Sequence, residues 1–140
     1  MIAIRERVRF GETDKMGIVY HPNYFPWMEM GRVEYLRSCG IELEELLAEG
    51  ITFPIGEVKA VFKNTMTFDD EFEVQTTLSA LNKAKMEFTY RVIRLRDGAV
   101  AVEGFTRNVF TDASGKVVRL PAKWYDRIKA AYDKEIQQEE

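Results

Sequence analysis

An α+β fold, with one antiparallel sheet wrapped around a single long helix, is predicted by three features of the sequence. A largely apolar stretch from Tyr24 to Cys39, stopped by Gly40, reads as one helix near the N-terminus. From Glu57 to Phe110 the pattern is extended throughout, in four or so consecutive runs with no helical segment between them. Within that block Asp97-Gly98 separates two runs and is the strongest local hairpin signal of the chain, so successive strands are expected to pair antiparallel.

Each element has its own signature. Ile4, Glu6, Val8 and Phe10 alternate with Arg5, Arg7 and Arg9, which predicts a first strand over 4–10 with a strongly cationic face. In the long helix only Glu29, Arg32, Glu34, Arg37 and Ser38 interrupt an apolar run, so burial is expected around most of its circumference. Glu29 with Arg32, and Glu34 with Arg37, have the spacing at which opposite charges meet on one helix face. Glu42–Glu49 is a short amphipathic helix ended by Gly50, and Thr52–Gly56 is an apolar loop. Strands follow from Glu57 to Phe68, Phe72 to Leu81, Lys85 to Leu95 and Ala99 to Phe110, with turns at Asp69-Asp70, Asn82-Lys83 and Arg96–Ala99. The Asp112–Gly115 turn leads to a short extension, Lys116–Arg119, and Pro121 opens a last helix from Ala122 to about Gln137, striped by Trp124, Ile128 and Tyr132. The five strands, the long helix, the short second helix and the C-terminal helix make one domain over 1–140.

Composition narrows the function. Apolar residues make up 46% of the 140 and charged residues 31%, with both signs mixed, the profile of a soluble globular protein. A net charge of −3 gives no global basic footprint for nucleic acid. No apolar run reaches membrane-spanning length and the first residues lack a signal-peptide pattern, so a cytoplasmic location without membrane insertion is expected. One cysteine, Cys39, and one histidine, His21, form no metal-ligand cluster, and neither a metal nor a cofactor is expected. Cys39, at the end of the apolar helix without a base to activate it, reads as a small core residue.

The chemistry is expected between Thr13 and Tyr24. Asp14 supplies a carboxylate and Gly17 a position free to take positive φ. His21 stands at the helix boundary, with Pro22 in the first turn and Pro26 soon after, near enough to the start to kink the helix rather than break it. The free N–H groups of a helix start meet developing negative charge, so an acid and such a site fall within seven residues of each other. Taken alone, Asp14 is a common turn residue and His21 a common cap, so the pattern as a whole carries the argument.

That pattern, Arg9-Phe10-Gly11-Glu12-Thr13-Asp14-Lys15-Met16-Gly17-Ile18-Val19-Tyr20-His21-Pro22-Asn23-Tyr24 and on to Glu29, resembles the signature of the 4-hydroxybenzoyl-CoA thioesterase-like group of hotdog-fold proteins. The group includes the short acyl-CoA thioesterases associated with bacterial Tol-Pal genes, and the resemblance extends over essentially the whole chain in element order. It implies a hotdog subunit, pairing into a dimer with a continuous sheet and further into a dimer of dimers, and hydrolysis of an acyl-CoA in a cleft at the dimer interface. Position by position it implies Asp14 as the catalytic carboxylate, the backbone N–H of His21 as the carbonyl-polarising donor, and Gly17 as the glycine shaping the loop between them. It also puts Asn82, Lys83 and Lys85 near the positions that bind the phosphates of CoA. Phe53 and Pro54 are candidates for the acyl pocket, with a core or dimer-contact role as the ordinary alternative, and Tyr20 is a candidate substrate contact that packing would equally explain. Asp14 can act as nucleophile or as general base; aspartate is a weak base at neutral pH, which favours direct attack. Two rivals stand beside the thioesterase: a hotdog dehydratase or hydratase, whose histidine usually lies closer to its acid than the seven residues separating Asp14 and His21, and a non-catalytic acyl-CoA-binding module.

Overall fold

The computed structural model describes residues 1–139. In chain order its elements are β1 (Ile2–Arg7), α1 (Tyr24–Ser38), α2 (Leu43–Ala48), β2 (Ile55–Phe62), β3 (Glu71–Leu81), β4 (Lys85–Arg94), β5 (Ala99–Val109) and α3 (Ala122–Glu139). The strands form one antiparallel sheet in the order β1-β3-β4-β5-β2, the hotdog arrangement. Period-two alternation decides which face is covered: Phe72, Val74, Thr76 and Leu78 of β3 and Met86, Phe88, Tyr90 and Val92 of β4 are buried, and their neighbours are not. Each of the large side chains in that layer contributes roughly 1.5–3 kcal/mol by leaving water. The β4–β5 hairpin turns at Gly98, as the Asp-Gly pair predicts.

Helix α1 lies across the covered face of the sheet. Its buried residues, Tyr24, Trp27, Met28, Gly31, Arg32, Tyr35 and Leu36, recur at three and four positions and form one stripe. Burial around most of the circumference is therefore not what forms: Phe25, Pro26, Glu29 and Met30 are exposed, because the sheet covers only one side of the helix. Gly31 is the point of closest approach, where an added Cβ would stand 2.1 Å from Thr76 Oγ1. Pro26 falls in the first turn of α1, where no backbone donor is lost. At 18 residues α3 is longer than α1 at 15, so α1 is central by position rather than by length. Trp124 and Ile128 of α3 are buried in the core and Tyr132 packs beside it. No helix among the described residues is long and apolar enough to cross a membrane.

Three boundaries differ from the sequence reading. The first strand ends at Arg7 rather than Phe10: after Val8 bonds Asp70, Glu12 draws the chain into a short 3-10 turn and leaves Phe10 exposed. β2 ends at Phe62 rather than Phe68, since Lys63 N and Asn64 N both turn onto Ala101 O and Met66 drops into the core. Lys116–Arg119 forms only an isolated bridge, Val117 to Thr111. The cationic face of β1 is also largely neutralised by its neighbour: Arg5 pairs with Glu73 across the strands, and Arg7 with Glu71 and Asp69.

Candidate active site

The loop that carries Asp14 is closed by its own backbone. Asp14 N–H donates to Ile18 O at 2.9 Å, Gly17 N–H donates to Asp14 O at 3.0 Å, and Thr13 bridges Val19. Gly17 sits at φ 79° with open space where a Cβ would be, so its requirement is conformational rather than steric. Asp14 itself is half-buried. Its Oδ1 accepts the Met16 N–H at 2.8 Å, and no group of the described residues bonds its second oxygen.

Glu12 is the anchor between this loop and the helix. It is buried, and its carboxylate accepts the Arg9 N–H at 2.7 Å and the Trp27 indole N–H at 3.0 Å. Its carbonyl accepts Tyr20 N–H at 2.9 Å and Asn23 Nδ2 at 2.7 Å. Burial alone pushes the Glu12 carboxyl up, but the Arg9 N–H, the Arg9 guanidinium and the Trp27 indole together hold it below the ordinary carboxylate range. Glu12 thus fixes both ends of the segment between Asp14 and α1, a role that no sequence argument assigned to it.

His21 opens a separate 3-10 turn, His21–Asn23, three residues ahead of α1. Its N–H has no acceptor among the described residues. The exposed ring stacks on Phe62 with centroids 4.3 Å apart, so the side chain is spent on packing. Beside it lies a cavity of about 490 Å³ walled by His21, Tyr24, Phe62 and Asn64. Asp14 is on the adjoining loop and does not line it. Burial pushes the Tyr24 phenol up to about 12, which leaves that hydroxyl protonated, and Tyr20 is exposed. Burial also pushes the Cys39 thiol up, away from nucleophilic chemistry.

The remaining candidates stand at the other end of the sheet. Phe53 and Pro54 precede Ile55, the first residue of β2, whereas His21 meets Phe62, the last; eight residues of strand separate the two ends by roughly 23 Å. The β3–β4 turn with Asn82, Lys83 and Lys85 is at the Ile55 end, because Lys85 pairs with Val109 and Ile55 with Asn108. These three residues have partners there. Asn82 Oδ1 accepts Ala84 N–H at 2.8 Å and Lys85 N–H at 2.9 Å, Lys83 Nζ lies 5.7 Å above the Tyr125 ring, and Lys85 Nζ pairs with Glu87 at 3.3 Å. Within one chain the structure therefore groups Asp14, Gly17, Tyr20 and His21 apart from Phe53, Pro54, Asn82, Lys83 and Lys85.

Phe53 and Pro54 wall a second cavity, of about 270 Å³, together with Arg32, Glu29 and Asn108. The expected Glu29–Arg32 pair does not form, because Arg32 is on the buried stripe of α1 and points inward, while Glu34 and Arg37 on the outer face do pair. Arg32 Nη1 donates to Tyr90 Oη at 3.2 Å and its Nε is buried with no acceptor. Asn108 donates its Nδ2 to Phe53 O at 2.7 Å and leaves Oδ1 buried and unpartnered.

The chain matches known proteins over most of its length. The model of the thioesterase-like superfamily matches residues 8–131. A protein of Aquifex aeolicus provisionally named an esterase is 34% identical over 125 residues, 89% of this chain and 95% of its own. An acyl-CoA thioester hydrolase of Escherichia coli is 30% identical over 87 residues, 62% of this chain and 65% of its own. Among solved structures, a gentisyl-coenzyme A thioesterase superposes with a TM-score of 0.80 at 30% identity, covering 86% of this chain and 97% of that one.

Proposed function

The chain belongs to the thioesterase-like superfamily, and from that membership we propose that it hydrolyses a small acyl-CoA to the free acid and CoA. The observation that carries the proposal is that one segment, anchored by Glu12, holds both a half-buried carboxylate with one unbonded oxygen, Asp14, and an unsatisfied backbone donor, His21 N–H. In the proposed reaction His21 N–H donates to the thioester oxygen, where charge grows as the carbonyl is attacked, an effect typically worth ~3 kcal/mol per donor. Asp14 attacks the carbonyl carbon through the oxygen that Met16 leaves free, the C–S bond breaks, CoA departs as thiolate, and water hydrolyses the resulting anhydride. Support for the nucleophile over the general base comes from the weak basicity of aspartate and the fixed orientation given by Met16 N–H. Gly17 shapes the turn, and no metal or cofactor enters the reaction.

The working unit in this proposal is a dimer. β2 is an edge strand whose Ile55, Val58, Val61 and Phe62 are exposed, an apolar edge that isolated proteins avoid. Antiparallel pairing of two β2 strands continues the sheet and brings the Ile55 end of one copy against the Phe62 end of the other. Asp14, His21 and Tyr20 of one copy then face Phe53 and Pro54 of the second, with Asn82, Lys83 and Lys85 of that copy offered to the phosphates of CoA.

Thiol release from a panel of acyl-CoAs tests the reading. The wild type is expected to turn over at least one of them and Asp14→Asn to be slower by ~100-fold or more. Binding without release by both proteins would leave a non-catalytic acyl-CoA module instead, and addition or removal of water at an acyl double bond would leave a hydratase.

A further inference from the structure

The cavity behind Phe53 and Pro54 has a feature that an aliphatic acyl pocket does not need. Arg32 is 5% exposed, yet its guanidinium makes a single hydrogen bond, to the neutral Tyr90 hydroxyl, and no carboxylate among the described residues pairs with it. A buried cation without a counterion is costly, far more so than a neutral group short of one hydrogen bond. Tyr90 engages Nη1 and Nε is enclosed by protein, so Nη2, which no described residue bonds, is the donor left for the cavity. A charged N–H donor of this kind makes its strongest hydrogen bond to an anionic oxygen.

Resting on the thioesterase reading, we propose that Arg32 is a specificity residue for an acyl group carrying a second carboxylate at its far end, as in the mono-CoA ester of a short dicarboxylic acid. The cavity of about 270 Å³ lies below the usual range for ligand pockets and fits a short chain. The acyl group enters it from the thioester held at Asp14 and His21 of the other copy, since the same chain's Asp14 lies at the opposite end of β2. A terminal hydroxyl that accepts from Arg32 is the competing match, while Asn108 Oδ1 on the same wall is enclosed and takes no part. The charge decides between them: only an anion neutralises Arg32. Glu29, exposed on the same wall, stays in solvent and does not fill that role.

The test compares glutaryl-CoA with valeryl-CoA, matched in chain length, and with 4-hydroxybutyryl-CoA, each corrected for spontaneous release. The wild type is expected to favour glutaryl-CoA over both by at least tenfold in kcat/KM. Arg32→Gln is expected to bring the glutaryl to valeryl ratio to about one while retaining turnover of valeryl-CoA, and Arg32→Lys to restore part of the ratio. A wild-type preference for valeryl-CoA or 4-hydroxybutyryl-CoA overturns the proposal without touching the thioesterase reading, as does a glutaryl preference that survives in Arg32→Gln. The wild-type ratio needs no variant, so misfolding of Arg32→Gln does not blunt the test. If no thiol is released from any substrate the thioesterase reading fails, and calorimetric affinities of the wild type for glutaryl-CoA and valeryl-CoA then decide the acyl site by the same tenfold criterion.

Discussion

Glu12→Gln probes the anchor of the catalytic segment with almost no change of shape. The wild-type carboxylate accepts two well-formed hydrogen bonds, from Arg9 N–H at 2.7 Å and Trp27 Nε1 at 3.0 Å, and a longer one from the Arg9 guanidinium at 3.3 Å. The last counts for little, because the Arg9 side chain is 81% exposed and solvent screens it. Hydrogen bonds to a charged group contribute about 1.5–3 kcal/mol each against about 0.5–1.5 for neutral ones, and the amide end of glutamine leaves one of the two donors poorly matched. The loss is therefore about 2 kcal/mol. With an unfolding entropy of roughly 2.1 cal/mol/K per residue over 140 residues, that lowers Tm by about 7 °C. The pH dependence has a definite sign. The folded Glu12 carboxyl lies below its unfolded value of about 4.3, so its stabilisation is complete above that pH and is lost as pH falls through the folded value. Thermal unfolding followed by circular dichroism should show the full gap between wild type and variant at pH 7 and a much smaller one at pH 3. A gap below about 2 °C at pH 7, or one equal at both pH values, would refute the anchoring role.

Other perturbations have equally specific outcomes. Gly17→Ala places a Cβ at φ 79° with nothing to clash against, so it should cost about 1–2 kcal/mol in denaturant unfolding and slow thiol release. Phe88→Ala, at the fully buried centre of β4, should cost about 3–5 kcal/mol in the same measurement. Asp97, hydrogen-bonded by the Arg94 guanidinium and by Ala99 N–H, should titrate at about 2 by NMR, and Arg94→Met should return it towards the ordinary carboxylate range.

Much of the fold is legible in the sequence because the sheet is regular. Period-two alternation identifies the buried faces of β3 and β4 residue by residue, and Asp97-Gly98 marks the hairpin. Local pattern fails where tertiary bonds decide: Phe10 continues the alternation of β1, yet Glu12 bends the chain before it, and the run Met66-Thr67-Phe68 looks like more strand although Ala101 O has already turned the chain. Arg32 goes inward although its spacing from Glu29 suits a surface pair. Paired on paper with Glu29, it occupies the 24, 27, 28, 31, 32, 35, 36 stripe, and reading that stripe before the charge pairs would have put it inside. The acidic loop and the helix start were legible as local chemistry. Their separation from Phe53 and the β3–β4 turn was not, because it depends on strand order.

In the proposed reaction the site works only when two copies pair along β2. Val58→Lys combined with Val61→Lys places charges on that exposed edge without entering the core, Val58 and Val61 being 43% and 56% exposed. The measurement is thiol release per chain by this variant, with its mass from light scattering and its fold from circular dichroism. A folded monomer with activity reduced to a few per cent or less is expected. A folded monomer that releases thiol at the wild-type rate would contradict the need for pairing.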